Sequence, residues 1–150
     1  MTEIRFYHLT QKTPEQALPD LLIRALESGK KIVVKFGDKE MMETLDKSLW
    51  TSRRDAFIPH GTKADPDPEF HPIWLTTGND APNSPDTFIS VGAELPEDLG
   101  VYSLVCDLFS ESDSEMVSAA RKRWKTYKDS DYTLTYWQQG EKGGWEKKAG

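Results

Sequence analysis

Residues 31–36 read Lys-Ile-Val-Val-Lys-Phe, and a Gly37-Asp38 pair follows them at once. A short run of β-branched and aromatic residues is typical of a strand that is buried on both faces. The Gly-Asp pair predicts a turn in which Asp38 caps the next helix, because an aspartate carboxylate accepts hydrogen bonds from a helix N-terminus. The stretch therefore predicts a central strand of a sheet that is covered by helices.

The residues before this strand repeat the same order of elements. Residues 4–9 are β-branched and aromatic, and Thr13 begins a helix whose capping box is completed by Gln16. Apolar residues then recur at helical spacing as far as Gly29, and a second helix of the same kind follows Asp38. The alternation favours a parallel sheet, because parallel strands need a connection about as long as a helix.

The second half of the chain continues this alternation, so the expected fold class is α/β. We expect one αβα sandwich domain over residues 1–150, with a Rossmann-like, mostly parallel sheet that lacks a nucleotide-binding loop. The chain after about residue 139 is rich in glycine and lysine and is expected to be a frayed end. Further strands are expected at 73–76, 87–91, 102–109 and 133–137, and a last helix at 112–128.

The composition is typical of a soluble, cytoplasmic protein. Hydrophobic residues make up 37% and charged residues 29% of the 150 residues, and no apolar run approaches the roughly 20 residues of a membrane span. The one cysteine, Cys106, excludes an intramolecular disulfide, and no signal peptide is evident. The net charge of -6 opposes general nucleic-acid binding, so we expect neither membrane contact nor direct, specific nucleic-acid binding.

No pattern in the sequence predicts catalytic chemistry. The turn after the first strand, residues 10–13, lacks the glycines with which a backbone cradles a phosphate. His60 and His71 are not at a common metal-ligand spacing, and Cys106 lies inside a strand, where a small buried apolar role is expected. We therefore expect no cofactor, no metal and no catalytic residue. A nucleotide-binding enzyme with atypical loops is kept as an alternative.

The last helix has an uneven distribution of charge. Its start is acidic, with Ser112 and Glu115 expected to form a capping box, and five bases without an acid follow between residues 117 and 128. Acids at the start and bases at the end of a helix complement its dipole, which is one explanation of the pattern.

The helical wheel offers a second explanation, which is a binding site. Met116, Ala120 and Tyr127 form the inner face, and the apolar edge beside it, Val117 and Trp124, is bordered by three cations. The cations are Arg121, Lys125 and Lys128. Adjacent apolar and cationic groups suit an acidic, hydrophobic peptide, in particular a free carboxylate that an arginine grips with two hydrogen bonds. Stacking of single-stranded DNA bases on Trp124 and Tyr127 is the alternative.

Four short motifs, in their order and spacing, resemble the chi-subunit family of bacterial DNA polymerase III holoenzyme. The most specific part is Leu-Asp-x-x-Leu-Trp followed by Phe-Ile-Pro-His. The motifs are Phe6-Tyr7-His8-Leu9, residues 45–50, residues 57–60 and residues 120–127. Residues 136–137 and 143–146 also look like part of the longer-tailed members.

The resemblance implies a non-catalytic adaptor of the clamp-loader complex in DNA replication. It implies two partners, which are the small subunit psi and the acidic C-terminal tail of single-stranded-DNA-binding protein, a tail that ends in Pro-Phe. The positions that match the family's tail site are Arg121, Trp124 and Lys125, with Lys128 as a further cation. Val117 stands where some members carry a lysine. Trp124 stands where a tyrosine is familiar, which keeps the aromatic surface without the hydroxyl.

A second surface is expected at Trp50, Phe57, Ile58 and Pro59. A tryptophan at a helix end, followed by an apolar segment, either caps the core or anchors a partner. Exposed aromatic residues carry much of the energy of protein interfaces, and psi is the partner that the resemblance implies, if the organism has one. The sequence alone is compatible both with a role in the core and with contact with a partner.

Overall fold

The computed structural model describes residues 2–51, 60–62, 71–96, 98–141 and 144–149. The strands are β1 (Glu3–Leu9), β2 (Ile32–Phe36), β3 (Ile73–Thr76), β4 (Thr87–Val91), β5 (Leu104–Ser110), β6 (Thr133–Gln139) and β7 (Trp145–Ala149). The helices are α1 (Pro14–Glu27), α2 (Lys39–Thr51) and α3 (Ser114–Lys128).

In the described part of the chain, the seven strands form one sheet in the order β3-β2-β4-β5-β1-β6-β7. Neighbouring strands are parallel, except that β6 and β7 are antiparallel. The connection from β1 to β2 contains α1, and the connection from β5 to β6 contains α3. The predicted α/β fold with a mostly parallel sheet is confirmed.

Helices cover both faces of the sheet. Leu18 of α1 and Leu45 of α2 belong to the core on one face, and Ala120 of α3 belongs to the core on the other. As a consequence, β5 is buried along its whole length, and β2 is buried except at Lys35. The predicted αβα layers and the two predicted buried strands are confirmed. No helix within the described ranges is both long enough and apolar enough to cross a bilayer.

The structure differs from the sequence prediction at the start of α3. Asp113, and not Ser112, is the N-cap, because its carboxylate accepts hydrogen bonds from the backbone N–H groups of Glu115 and Met116. The Ser112 hydroxyl instead lies 2.7 Å from that of Ser110. The helix therefore begins at Ser114, two residues later than expected.

The structure also adds an element that the sequence did not predict. Strand β7 pairs with β6, and Trp145 in β7 packs edge-on against Tyr7, with 5.0 Å between the ring centroids. This contact adds Trp145 to the apolar core on the α1 and α2 face.

The chain leaves two neighbouring strands in opposite directions. From β1 it crosses to β2 on one side, and from β5 it crosses to β6 on the other. The carboxyl ends of β1 and β5 therefore border a crevice, which is the position where open α/β sheets usually bind their ligands. Leu9 and Ser110 end these two strands, and the backbone N–H of Glu111 donates to the carbonyl of Leu9 across the crevice.

Candidate functional site

Helix α3 lies on the sheet with the face that the wheel predicted. Ala120 is buried against the strands, and Met116, Val117, Trp124 and Tyr127 are partly buried around it. Alanine at the closest point lets the helix approach the sheet, because its side chain is the smallest that still favours a helix. The apolar edge of α3 is therefore anchored to the fold.

Trp124 occupies a fixed position between two strands. Its ring meets Phe6 of β1 edge-on at 5.3 Å and Tyr136 of β6 edge-on at 5.8 Å, measured between centroids. Edge-to-face pairs of this kind are stabilising because the ring edge is positive and the ring face is negative. The indole is only half-buried, so part of its surface remains available beside Tyr136.

Arg121 lies exposed one turn before the last turn of α3, and its charge acts on two rings of the sheet. Burial lowers the pKa of His8, Glu111 raises it, and Arg121 lowers it. Burial raises the pKa of Tyr136, and Arg121 opposes that shift. Arg121 precedes Trp124 by three residues on α3, which makes the two side chains neighbours, and Trp124 packs against Tyr136, so Arg121 lies on the face of the sheet that carries these rings.

Lys125 and Lys128 are also exposed, and both lie in the last turn of α3. At a rise of roughly 1.5 Å per residue, Lys125 follows Arg121 by about one turn, and Lys128 follows Arg121 by about 10 Å along the helix axis. The three predicted cations therefore form a row along the helix. The row is too long to surround a single carboxylate.

Sequence reasoning missed three residues that the fold brings together near the end of β1. The hydroxyl of Tyr136 lies 2.7 Å from Nδ1 of His8, and the His8 ring stacks on Phe109 with 4.8 Å between centroids. Glu111 follows β5, and its Oε1 lies 4.0 Å from Nε2 of His8. His8 and Tyr136 both stand in motifs that carry the family resemblance, but their contact joins strands from opposite ends of the chain.

One of the five bases of α3 is structural. Arg123 turns inward and donates two hydrogen bonds to Asp107 of β5, at 2.5 and 3.0 Å. The Asp107 side chain is fully buried; burial raises the pKa of its carboxyl and Arg123 opposes that shift. Arg123 therefore balances a buried charge, and it does not belong to the exposed row.

The loop that follows β1 at the crevice has its backbone N–H groups occupied by a side chain of the same protein. The side-chain oxygen of Gln139 accepts hydrogen bonds from the backbone N–H groups of Gln11 and Lys12, at 2.9 and 3.0 Å. Thr13 then caps α1 with the predicted capping box. These are the donors that would face a phosphate in a nucleotide-binding sheet, and here they are already used.

The cysteine and histidine side chains considered as nucleophiles or metal ligands contribute to the packing of the fold. Burial raises the pKa of the Cys106 thiol to about 12, so the thiol stays protonated at neutral pH. His60 is buried and lies 2.8 Å from Asp46. Within the described residues, no three histidine, cysteine or acidic side chains are grouped closely enough to hold a metal ion.

Of the predicted second surface, the structure describes only the position of Trp50 in the chain. Trp50 lies in the last turn of α2, and the structure does not describe its side chain. Phe57, Ile58 and Pro59 lie outside the described residues. The second surface therefore stays a prediction.

The chain matches a known protein family over most of its length. Residues 1–135 match the family described as DNA polymerase III chi subunit, HolC. The chain is similar to the DNA polymerase III subunit chi of Pseudomonas aeruginosa, with 30% identity over 137 residues that cover 89% of this chain and 94% of that protein. The corresponding Escherichia coli protein is 23% identical over 121 residues, which cover 80% of this chain and 82% of that one.

A third relative is matched over a shorter stretch. The probable DNA polymerase III subunit chi of Rickettsia prowazekii is 33% identical over 91 residues, which span 61% of this chain and 55% of that protein. The match over residues 1–135 takes in every element described above except β7 and the end of β6. The chain belongs to the chi-subunit family of DNA polymerase III and is an accessory subunit of the replicase.

Proposed function

We propose that this protein is a non-catalytic adaptor that links the replicase to the acidic C-terminal tail of single-stranded-DNA-binding protein. One observation carries the proposal. The exposed Arg121 precedes the half-buried Trp124 by three residues on α3, which makes the two side chains neighbours, and the Trp124 ring packs edge-on against Tyr136 of the sheet. A cation next to an apolar surface matches the two chemical features of a terminal phenylalanine, which are its carboxylate and its ring.

In the proposed complex, the guanidinium of Arg121 pairs with the terminal carboxylate of the tail. The terminal phenylalanine ring packs on Val117 and Trp124, both of which keep accessible surface. Burying one phenylalanine side chain contributes roughly 1.5–3 kcal/mol, and a charge-assisted hydrogen bond contributes a similar amount. The two contacts together account for a binding site of useful strength on a small surface.

The row of cations gives the tail a direction. A carboxylate held at Arg121 leaves Lys125 and Lys128 one and nearly two turns away, so these lysines meet acidic residues that precede the terminal phenylalanine. Exposed pairs of this kind contribute about 0.2–1 kcal/mol each and are screened by salt. They steer the acidic tail toward α3 more than they hold it.

The rest of the proposal follows the family. A clamp-loader partner such as psi uses the second surface around Trp50, Phe57, Ile58 and Pro59, so that the tail and the replicase bind at separate places. The first loop of the crevice supports a role without catalysis, because Gln139 occupies its backbone donors. A cytoplasmic location follows, since bacterial replication takes place there.

A titration with three ligands tests the proposal. The full chain is mixed with a labelled acidic peptide that ends in Pro-Phe, with the same peptide lacking the terminal phenylalanine, and with oligo-dT. We expect binding of the first peptide, measured by fluorescence anisotropy. Removal of the terminal phenylalanine should weaken binding by about tenfold or more, because both the ring and the correctly placed carboxylate are lost.

Two outcomes overturn the proposal. Equal affinity for both peptides removes the role of the terminal residue, and tight binding of oligo-dT with no peptide binding favours a direct single-stranded DNA binder. A screen of nucleoside triphosphates by thermal unfolding covers the enzyme alternative. A ligand at 100 times its dissociation constant adds about 2.7 kcal/mol to the unfolding free energy.

A further inference from the structure

A cleft of about 560 Å³ lies at the amino ends of the central strands, at the opposite end of the sheet from the crevice. Thr2, Ser103 and Tyr132 line it, and they immediately precede β1, β5 and β6. The backbone N–H of Glu3 donates to the carbonyl of Ser103. The backbone N–H of Thr133 donates to the carbonyl of Thr2, so hydrogen bonds between the three strands hold these lining residues in place.

Val101 extends the cleft with an apolar side chain that faces solvent. It is 64% exposed, and among the described residues it is the one large apolar residue that is mainly exposed. The half-buried residues Tyr102 and Tyr132 also line the cleft, so the apolar surface continues inward from Val101. A continuous apolar patch on a soluble protein marks an interaction site, whereas a single scattered apolar residue does not.

The turn that carries Val101 is fixed by its neighbours. It is a short 3-10 helical turn that begins at Leu99, a residue buried in the core on the α3 face. The carboxylate of Asp98 caps the turn by accepting a backbone N–H at 3.1 Å. The hydroxyl of Thr2 donates to the carbonyl of Tyr102, the residue after Val101, at 2.7 Å. Val101 is therefore held outward by ordered structure, and a partner that covers it does not have to order the turn.

The charge at the cleft is negative. Asp131 is the charged residue among the described residues that line it, and its side chain is exposed. Asp98, at the start of the turn, is exposed as well. The net charge of -6 on the whole chain adds attraction for a cation at longer range. An acidic peptide or a phosphate backbone is repelled here, whereas a lysine or arginine meets carboxylates beside an apolar surface.

We propose that this cleft is a docking surface for a partner segment in which an apolar side chain is flanked by lysine or arginine. The apolar side chain packs against Val101 and the two tyrosine rings, and the basic side chain pairs with Asp131. This chemistry is the reverse of that of the proposed tail site, where exposed cations border an apolar edge of α3. The inference does not depend on the proposed function, because none of the residues assigned to the tail site lines the cleft.

The probe for this surface is a capped peptide, Gly-Lys-Leu-Lys-Gly, which is titrated into the full, isotope-labelled chain and followed by NMR. We expect saturable shifts of the Val101 methyl signals and of the ring signals of Tyr102 and Tyr132. Two control peptides carry glutamate in place of both lysines, or alanine in place of leucine. Each should bind about threefold to tenfold more weakly, because the first replaces attraction by repulsion and the second loses the apolar contact.

Four variants of the chain separate the two contacts. Val101→Ser removes apolar surface and should weaken binding of the lysine peptide by about threefold to tenfold, whereas Val101→Ile should bind like the unmodified chain. Asp131→Asn should weaken binding by about twofold to fivefold, as expected for one exposed charge pair. Asp129→Asn is the matched control, because Asp129 is an exposed acid close in sequence that does not line the cleft. All three positions are exposed, so the variants are expected to fold.

Three outcomes overturn this inference. The first is full affinity for the lysine peptide in Val101→Ser or in Asp131→Asn. The second is equal affinity for the lysine and the glutamate peptides. The third is the absence of a saturable shift at Val101 and the two tyrosines. Each of these results leaves the proposed function standing, because the tail peptide is bound through α3 and the cleft is not part of that site.

Discussion

Nε2 of His60 lies 2.8 Å from a carboxylate oxygen of Asp46, and this contact joins helix α2 to the segment that runs beside β3. The His60 side chain is fully buried, while Asp46 is partly exposed. The next residue, Gly61, exchanges backbone hydrogen bonds with Ile73 and Leu75 and so continues the edge of the sheet. The two most specific motifs of the family thus meet in a contact that holds the fold together.

We expect Asp46→Ala to lower the free energy of unfolding by about 1–3 kcal/mol, because the buried His60 would lose its hydrogen bond with the Asp46 carboxylate. Urea denaturation measures the change. Glu43→Ala is the matched control in the same helix, since the ion pair of Glu43 with Lys39 is exposed and contributes little. Equal stability of the two variants would contradict a structural role for the His60 contact.

Arg121→Ala should weaken binding of the Pro-Phe tail peptide by about tenfold or more, the loss of one charge-assisted hydrogen bond. The unfolding free energy should change little, because the side chain is exposed and alanine favours a helix. Added salt should weaken binding to the unmodified chain.

Lys122→Ala is the control for that measurement, since Lys122 is an exposed cation one position along the same helix and off the proposed row. If the basic residues serve only the helix dipole, both variants lose a little stability and the peptide affinity is unaltered. An unchanged dissociation constant in Arg121→Ala therefore rejects the proposed site.

Arg123→Ala should behave differently from every other substitution of a base in α3. Removal of Arg123 leaves the Asp107 carboxylate buried without a partner, which costs about 3–5 kcal/mol at neutral pH. Thermal and chemical unfolding measure this loss, and Lys125→Ala serves as the exposed control.

The loss in Arg123→Ala should shrink as the pH falls. The folded-state pKa of Asp107 is already raised by burial, and the opposing effect of Arg123 disappears in the variant. A raised folded-state pKa means that the native state binds the proton more tightly, so stability is gained at acidic pH and lost as the pH rises through the folded pKa. A stability difference that is the same at pH 4.5 and pH 7.5 would show that Asp107 is not the source of the loss.

The thiol of Cys106 should not react with an aromatic disulfide reagent at pH 8 in the native protein. Burial raises its pKa to about 12, and only the thiolate attacks the reagent. In denaturant, the same single thiol should react fully. Rapid modification without denaturant would mean that β5 opens readily or that the site is solvated.

Local pattern was sufficient for most of the secondary structure. Strands β2 and β5 are apolar runs because both of their faces are covered, and burial on both faces leaves that signature in the sequence itself. Helical spacing predicted that Ala120 faces the core and that Trp124 lies at the edge of the inner face, because successive residues are separated by a constant angle around a helix.

Prediction from the sequence failed where another interaction outweighed a local sequence pattern. Ser112 fits a capping box, yet the carboxylate of Asp113 caps α3 in its place. Arginine is usually exposed at a protein surface, and the inward position of Arg123 is favourable only because the buried Asp107 pairs with it. Strand β7 escaped detection because a lysine-rich strand at the edge of a sheet has little of the apolar alternation that identifies strands.

By itself, then, the sequence determined the fold class, the buried strands and the rim of α3 with Arg121 and Trp124, because each depends on the spacing of neighbouring residues. Only the tertiary structure decided that Tyr136 packs against Trp124 of that rim and that His8 contacts Tyr136. The strand order β5-β1-β6 brings together segments more than 100 residues apart. No local periodicity encodes that order, because the choice of neighbouring strands depends on how the helices pack across the whole sheet.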